Sequence, residues 1–310
     1  MTAAVAGTTD PRILEARRRA KQRRHRVPAM FYWMALPAVA LFFLLHTIPV
    51  LQGFFYSFTD YAGYGTWNWV GFKNYANLVQ DDRIRASYLF TLKFAALATI
   101  VINVASIAIA TFLNSKIKFR TWFRGIFFMP YVMSLLIIGY VFSFIFSNSL
   151  PWFGHKLGIG WMETNILANE DLAWLGIVAV QAWKSMAFAI IIYLAGLQTI
   201  DPQLYEAASL DGASGWLQFR QITFPLLAAF FTINMVLTLK DMLMVFDLIF
   251  ALTNGGPGTS TESISFVIYR GGFEGGEFAY QMANAMVLFL MIVIFSIFQL
   301  RILQRREVHA

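Results

Sequence analysis

There is no cysteine among the 310 residues, which excludes disulfides and thiolate metal sites. Histidine is almost as scarce, and His25, His46, His155 and His309 are too scattered to suggest a metal centre. No G-x-x-x-x-G-K-S/T run is present to cradle nucleotide phosphates, and Gly255-Gly256-Pro257-Gly258 has no lysine after it. Nor is there a G-x-S-x-G elbow to present a nucleophilic serine. Charge is short as well: 13% of residues, against about 25% in soluble globular chains. So few polar side chains cannot cover a surface facing water, and lipid must be the solvent for much of the chain. No internal repeat is evident, which removes the inverted-repeat signature of many secondary transporters.

What remains is apolar: 58% of residues are hydrophobic, phenylalanine alone occurs 31 times, and the mean hydropathy is +0.59. Six segments reach the roughly 20 apolar residues that a membrane helix needs: 30–57, 88–114, 122–147, 172–199, 225–250 and 283–304. The run from Met30 is longer than a signal-peptide core and has no A-x-A-like cleavage site, so it reads as a retained helix. The expected fold is all-α and polytopic, with six transmembrane helices. Its parts are a basic tail at 1–29, a membrane domain at 30–304 and a short tail at 305–310.

The net charge of +7 is concentrated rather than spread, with eight Lys or Arg between Arg12 and Arg26. No nucleic-acid recognition module accompanies it, so the cluster reads as a topology signal that also attracts anionic headgroups. With the N-terminus inside, inner segments hold 16 of the 24 Lys and Arg and outer loops hold five. That excess predicts both termini in the cytoplasm. The outer loops, 58–87, 148–171 and 251–282, are long enough to cap a pore and carry Trp67, Trp69, Trp152 and Trp161.

The inner loop between the fourth and fifth spans has the strongest local signals. Asp201-Pro202 combines a side-chain cap with a residue preset for a first helical turn. Ala207 and Ala208 make a flat face, Gly212 can turn left-handed to end the helix, and Ser214 can cap a second one. Trp216, Phe219 and Ile222 then recur at helical spacing on one face, and Pro225 begins the next span. The pattern predicts two short helices at the inner surface with a bend at Gly212. Taken alone, it fits an ordinary connecting hairpin equally well.

Glu206-Ala207-Ala208, three residues, Gly212, nine residues and Ile222-x-Phe224-Pro225 resembles the EAA loop of binding-protein-dependent ABC importer permeases. Only Phe224 departs, where Leu is usual. Val70-Gly71-Phe72-Lys73-Asn74-Tyr75 is similar to a stretch after the first span of carbohydrate permeases of the maltose and glycerol-3-phosphate type. Val245-Phe246-Asp247 with Leu252-Thr253-Asn254-Gly255-Gly256-Pro257 resembles the segment after their fifth span, Asn254 standing for a usual Gly. Both tolerate a left-handed backbone.

The resemblance covers about residues 30–304 and implies a type I importer permease of a bacterial or archaeal cell membrane that is not itself an enzyme. It assigns Glu206, Ala207, Ala208, Asp211 and Gly212 to contact with a separate ATPase. The implied partners are a second homologous permease, two copies of the ATPase and an extracellular solute-binding protein. No cofactor is expected on this chain, ATP and Mg²⁺ belonging to the ATPase. The solute would be a sugar or related polyol, with disaccharide, oligosaccharide and glycerol phosphate all fitting.

Charges inside spans cost roughly 2.5–3.5 kcal/mol at mid-helix on insertion scales, so each is a candidate for function. Lys93, about one turn from the end of its span, can snorkel and reads as structural. Lys184 falls near mid-membrane, as do Lys240 and Asp241, which as sequence neighbours are not expected to face the same way. Asn234 and Asp241 share a face, as do Lys240 and Asp247. With Tyr131, Tyr140, Gln181, Trp183 and Asn234, the residues Lys184, Lys240 and Asp241 make a candidate solute pathway, since hydroxyl-rich ligands want carboxylates, amides and stacking rings. The competing role for each is an inter-helix contact that holds the bundle. Two other functional classes stay in view. An ion-gradient-driven secondary transporter would use Asp241 and Lys184 as relays, and a membrane-embedded transferase would need an acidic or histidine cluster that is not found.

Overall fold

Nearly every long element in the computed structural model is helical, and it describes residues 29–115 and 118–304. Residues 1–28, Lys116 and the 305–310 tail, on which much of the topology argument rests, lie outside them. Contacts divide the chain after Phe55. The first unit carries α1 (Met30–Tyr56), which is apolar on every side, with Phe31, Trp33, Leu41 and Leu45 all exposed. Its 27 residues reach about 40 Å, enough to cross roughly 30 Å of hydrocarbon.

The second unit opens with a tight loop and α2 (Lys73–Gln80). Asn74 donates from Nδ2 to the carbonyls of Ser57 and Thr59, both at 2.8 Å, and Tyr75 meets the Ser57 hydroxyl at 2.7 Å. Gly71 turns left-handed just before them, at φ 60°. The stretch around Val70–Tyr75 is therefore a clamp on the chain that leaves the first helix.

Next come α3 (Asp82–Asn114), α4 (Arg120–Val132), α5 (Leu135–Leu157) and α6 (Ala173–Leu197). The hairpin helices α7 (Pro202–Leu210) and α8 (Gly215–Leu226) lead into α9 (Ala228–Leu243). Two short helices, α10 (Asp247–Leu252) and α11 (Ile264–Tyr269), precede the last, α12 (Phe278–Gln304). Among the described residues α1, α3, α5, α6 and α12 are long and apolar enough to cross a membrane, and α8 with α9 makes a sixth span bent by 70°.

Several boundaries differ from the hydropathy reading. Asp81 accepts hydrogen bonds from the N–H groups of Arg83 and Ile84, so α3 starts at Asp82 instead of residue 88. The expected span at 122–147 is broken: α4 stops at Val132 and α5 starts at Leu135. Pro130 has no N–H for the ladder, and Met133 and Ser134 run extended. The expected span at 225–250 is also two helices, α9 and α10. No proline or glycine marks this second break; the buried Ser263 hydroxyl holds it by donating to the Val245 carbonyl at 2.6 Å. Pro225 does not begin a span either. It lies within α8 after a π-helical turn at Phe219–Thr223, and the chain bends only beyond Leu226.

The core sits between α3 and α6. Ser87, Thr91, Ala95, Ala98, Ile102, Ser106 and Ala110 form a buried stripe of mostly small residues at helical spacing on α3, which lets α6 approach closely. Several polar groups inside the core are paired, though the Thr99 hydroxyl has no partner among the described residues. Tyr193 donates its hydroxyl to Asn103 Oδ1 at 2.5 Å, and Asn103 Nδ2 reaches the Thr99 carbonyl at 2.9 Å. Elsewhere α5 and α10 cross so tightly that a Cβ on Gly139 would lie 2.4 Å from the Ala251 Cβ.

Part of the 251–282 segment, read from the sequence as an outer loop, packs against the bundle. Asn254 does take the left-handed backbone expected of it, at φ 48°. Thr261, Glu262 and Ser263 are buried, and Glu262 receives Arg83 Nε and Nη2 in a bidentate pair at 2.7 Å each. The pair is lopsided, since the carboxylate is 3% exposed and the guanidinium 48%. Arg83→Ala strands a buried carboxylate and is expected to cost about 3–5 kcal/mol. Glu262→Ala leaves only a half-solvated guanidinium and is expected to cost about 1–3 kcal/mol. Thermal unfolding of the two variants in detergent reads the order, and equal losses would contradict it.

Candidate functional site

Two features stand out: a hairpin that faces away from the core, and a cavity at the two helix breaks. In the hairpin, Asp201 caps α7 by accepting from the Gln203 N–H at 2.9 Å. The helix ends in paired backbone bonds, Ala213 N–H to the Ala208 carbonyl at 2.9 Å and Gly212 N–H to the Ser209 carbonyl at 3.1 Å. This closure needs a left-handed residue, and Gly212 supplies it at φ 77°. Ser214 then caps α8 by accepting from the Leu217 N–H. Gln218 Nε2 ties the two helices, reaching Ser209 Oγ at 3.0 Å and the Ala213 carbonyl at 3.1 Å, and Tyr205 meets Thr223 at 3.0 Å.

The bend is thus cross-braced, while Glu206, Ala207, Asp211 and Gly212 are exposed and Ala208 is half-buried. Leu210 at 90% and Trp216 at 71% exposure add apolar surface. Trp216 stacks on Phe219, which together with Ile222 packs against the core, so that row of three straddles surface and interior.

The cavity, of about 500 Å³, lies among α4, α5, α6, α9 and the start of α10. Tyr131 and Leu135 flank it on either side of the first helix break, and Met244, Val245 and Phe246 are the second break. Irregular backbone at membrane depth is tolerated where it lines a polar space, and here both breaks line the same one. Five of the predicted pathway residues meet there: Tyr131, Gln181, Lys184, Lys240 and Asp241. Tyr131 stacks on Phe188 with 5.4 Å between ring centroids, and the Lys184 ammonium stands 6.0 Å from the Tyr131 ring.

Lys240 and Asp241 correct the sequence reading. They face the same space and pair at 3.1 Å, because the long lysine stem swings round the last turn of α9 to its neighbour. Lys184, Lys240, Asp241 and Asp247 sum to no net charge. Gln181 is only 8% exposed; its Nε2 donates to Ser185 Oγ at 3.1 Å, and its buried Oε1 has no partner among the described residues. A wall of this kind offers rings, one free amide acceptor and ionic groups of both signs, which suits a neutral polyhydroxylated molecule.

Three predicted residues lie elsewhere. Asn234 is buried and donates to the Ala189 carbonyl at 3.2 Å, so it binds α9 to α6 instead of sharing the cavity with Asp241. Trp183 packs against Phe142 at 5.4 Å. Tyr140 lines a separate cavity with Arg270 and Glu274. Although α3 starts early, the Lys93 ammonium reaches the ring of Trp174, the second residue of α6, at 4.0 Å. Ser185, Phe188, Thr238 and Asp247 were missed. Only Asp247, within Val245-Phe246-Asp247, had a signal that could have found it.

Residues 102–308 match the family described as binding-protein-dependent transport system inner membrane component. The chain is 34% identical over 280 residues to the probable starch degradation products transport system permease protein of Thermoanaerobacterium thermosulfurigenes, covering 90% of this chain and 96% of that one. The chain belongs to this family. It is also 37% identical over 262 residues to the multiple sugar-binding transport system permease protein of Streptococcus mutans, covering 84% of this chain and 90% of that one. Its fold matches a solved bacterial ABC transporter involved in the import of the acidic polysaccharide alginate, at TM-score 0.78 and 22% identity over 89% of this chain and 95% of that one.

As a binding-protein-dependent transport component, the chain is a multi-pass inner membrane protein and not an enzyme. The family lends no support to a carrier driven by an ion gradient. It also explains the match of the 201–225 segment to the EAA pattern, a feature typical of its members.

Proposed function

We propose that this chain is one permease subunit of an ATP-driven importer, forming half of the pathway for a sugar or related polyol. One observation carries the reading. The exposed hairpin α7–α8 joins α6 to α9, and those two helices supply Gln181, Lys184, Thr238, Lys240 and Asp241 to the cavity. A push on a braced hairpin is therefore delivered directly to two walls of the solute space. Glu206, Ala207, Ala208, Asp211 and Gly212 form the contact with a separate ATPase, which holds ATP and Mg²⁺. Two copies of that ATPase, a second homologous permease and an extracellular binding protein complete the assembly. The basic tail and the 305–310 tail lie in the cytoplasm, flanking a membrane domain at 30–304. ATPase closure moves the hairpin and shifts the population between inward-open and outward-open arrangements.

The carbohydrate assignment rests on the solutes after which the relatives are named and on the neutral, ring-bearing cavity. It is tested in proteoliposomes carrying the co-purified assembly. Uptake should require internal ATP and survive an uncoupler, and the purified chain alone should hydrolyse none. Uptake that collapses with the uncoupler while ATP is held constant would overturn the reading.

A further inference from the structure

We propose a second carbohydrate station in this chain, on the far side of the α5–α10 crossing from the first cavity; it rests on the transport reading above. The two spaces are laid out along the same pair of helices. On α5, Leu135 lines the first cavity and Tyr140 the second, five residues or about 8 Å further on. On α10, Asp247 lines the first while Phe250, Ala251 and Leu252 line the second. Between them Gly139 is pressed against Ala251, so the crossing itself is the partition. Both helices run towards the 253–262 turn, which lies outside under the expected topology, so a solute arriving there meets the second cavity first.

The second cavity also holds about 500 Å³. Tyr140 offers an exposed ring face, and neither its hydroxyl nor the Asn254 amide has a hydrogen-bond partner among the described residues. The left-handed backbone of Asn254, fixed by its N–H to the Ile249 carbonyl at 2.9 Å, sets where that amide sits. Arg270 and Glu274 pair loosely at 3.4 Å, and both are about half exposed. A guanidinium and a carboxylate side by side can donate to and accept from neighbouring hydroxyls of one sugar, while the tyrosine ring covers its apolar face. The pair is neutral overall, so the station suits an uncharged saccharide unit.

The chain's lack of cysteine makes the test direct. The assembly, carrying Glu274→Cys or Asn254→Cys, is labelled from outside with a membrane-impermeant maleimide and the label on this chain is read. Solutes are maltotriose, trehalose and raffinose, delivered by the binding protein. Whichever solute accumulates should slow labelling about tenfold relative to empty binding protein, and Trp161→Cys should label equally in both. In uptake, Tyr140→Ala should raise the half-saturating concentration about tenfold or more with the maximal rate little changed, and Tyr140→Phe should restore it. Equal shielding by loaded and empty binding protein would make the cavity a docking surface, and thiols that never label would make it a contact between permeases. Either result overturns the station. If none of the three solutes accumulates, the carbohydrate reading fails first and takes the station with it.

Discussion

Replacing Gly212 with proline abolishes uptake while leaving the chain in the membrane. Gly212 holds φ 77°, and proline is confined near −65°, so the α7 closure cannot form. The substitution also deletes the N–H that bonds to the Ser209 carbonyl and displaces the neighbouring Ala213 bond to Ala208. The space around Gly212 is open, so nothing in the core is disturbed and the damage stays in the hairpin. Gly212→Ala keeps the N–H and meets only the left-handed penalty, about 1–2 kcal/mol. That ceiling corresponds to a loss of roughly 5–30-fold in the closed hairpin, so alanine should give a partial uptake defect. Radiolabelled solute uptake and a membrane-fraction blot, taken on the same cells, separate coupling from insertion. Normal uptake by the proline variant would remove the hairpin from the mechanism.

That hairpin was legible in the sequence because its determinants are local. An Asp before Pro, a Gly three turns later and a Ser two residues beyond are cap and turn chemistry, which acts within a few residues. The cavity was legible only in part, because the helix breaks that create it are tertiary. Pro130 hinted at the first. The second break, at Met244–Phe246, has no local marker and depends on Ser263, 18 residues away in sequence, reaching the Val245 carbonyl. Hydropathy averages across such a break and returns one span.

Face arguments failed for the same reason. Asn234 and Asp241 share a stripe on an ideal helix, yet Asn234 meets α6 at its buried Ala189 carbonyl while Asp241 opens into the cavity near the helix end. Tyr140 and Tyr131 look alike in sequence, but the Gly139–Ala251 crossing puts them in different spaces. The 251–282 segment is polar and glycine-rich, the composition of an exposed loop. Thr261, Glu262 and Ser263 are nonetheless buried, because Arg83, a full 179 residues earlier, supplies a charge that lets Glu262 go inside.

Gln181→Leu should move stability and transport in opposite directions, and that divergence is what sets a solute contact apart from a packing residue. The Gln181 side chain is more than nine-tenths buried, one end is bonded to Ser185, and the Oε1 is left without a partner. An unpaired buried acceptor costs about 1–3 kcal/mol, which a near-isosteric leucine does not incur. The loss of the Ser185 bond offsets part of the gain, because the Ser185 hydroxyl is half-exposed and turns to water. Unfolding temperature in detergent is therefore expected to hold or rise. If the same Oε1 accepts a solute hydroxyl, the leucine variant loses that bond, and a site built to hydrogen-bond an OH discriminates steeply once its partner is gone. The half-saturating concentration should rise about 5-fold to 150-fold, by the same 1–3 kcal/mol. A leucine variant that is less stable and transports normally would place Gln181 in the scaffold and leave the cavity without its one free amide. A variant that keeps both properties would mean that solute passes this wall without touching it.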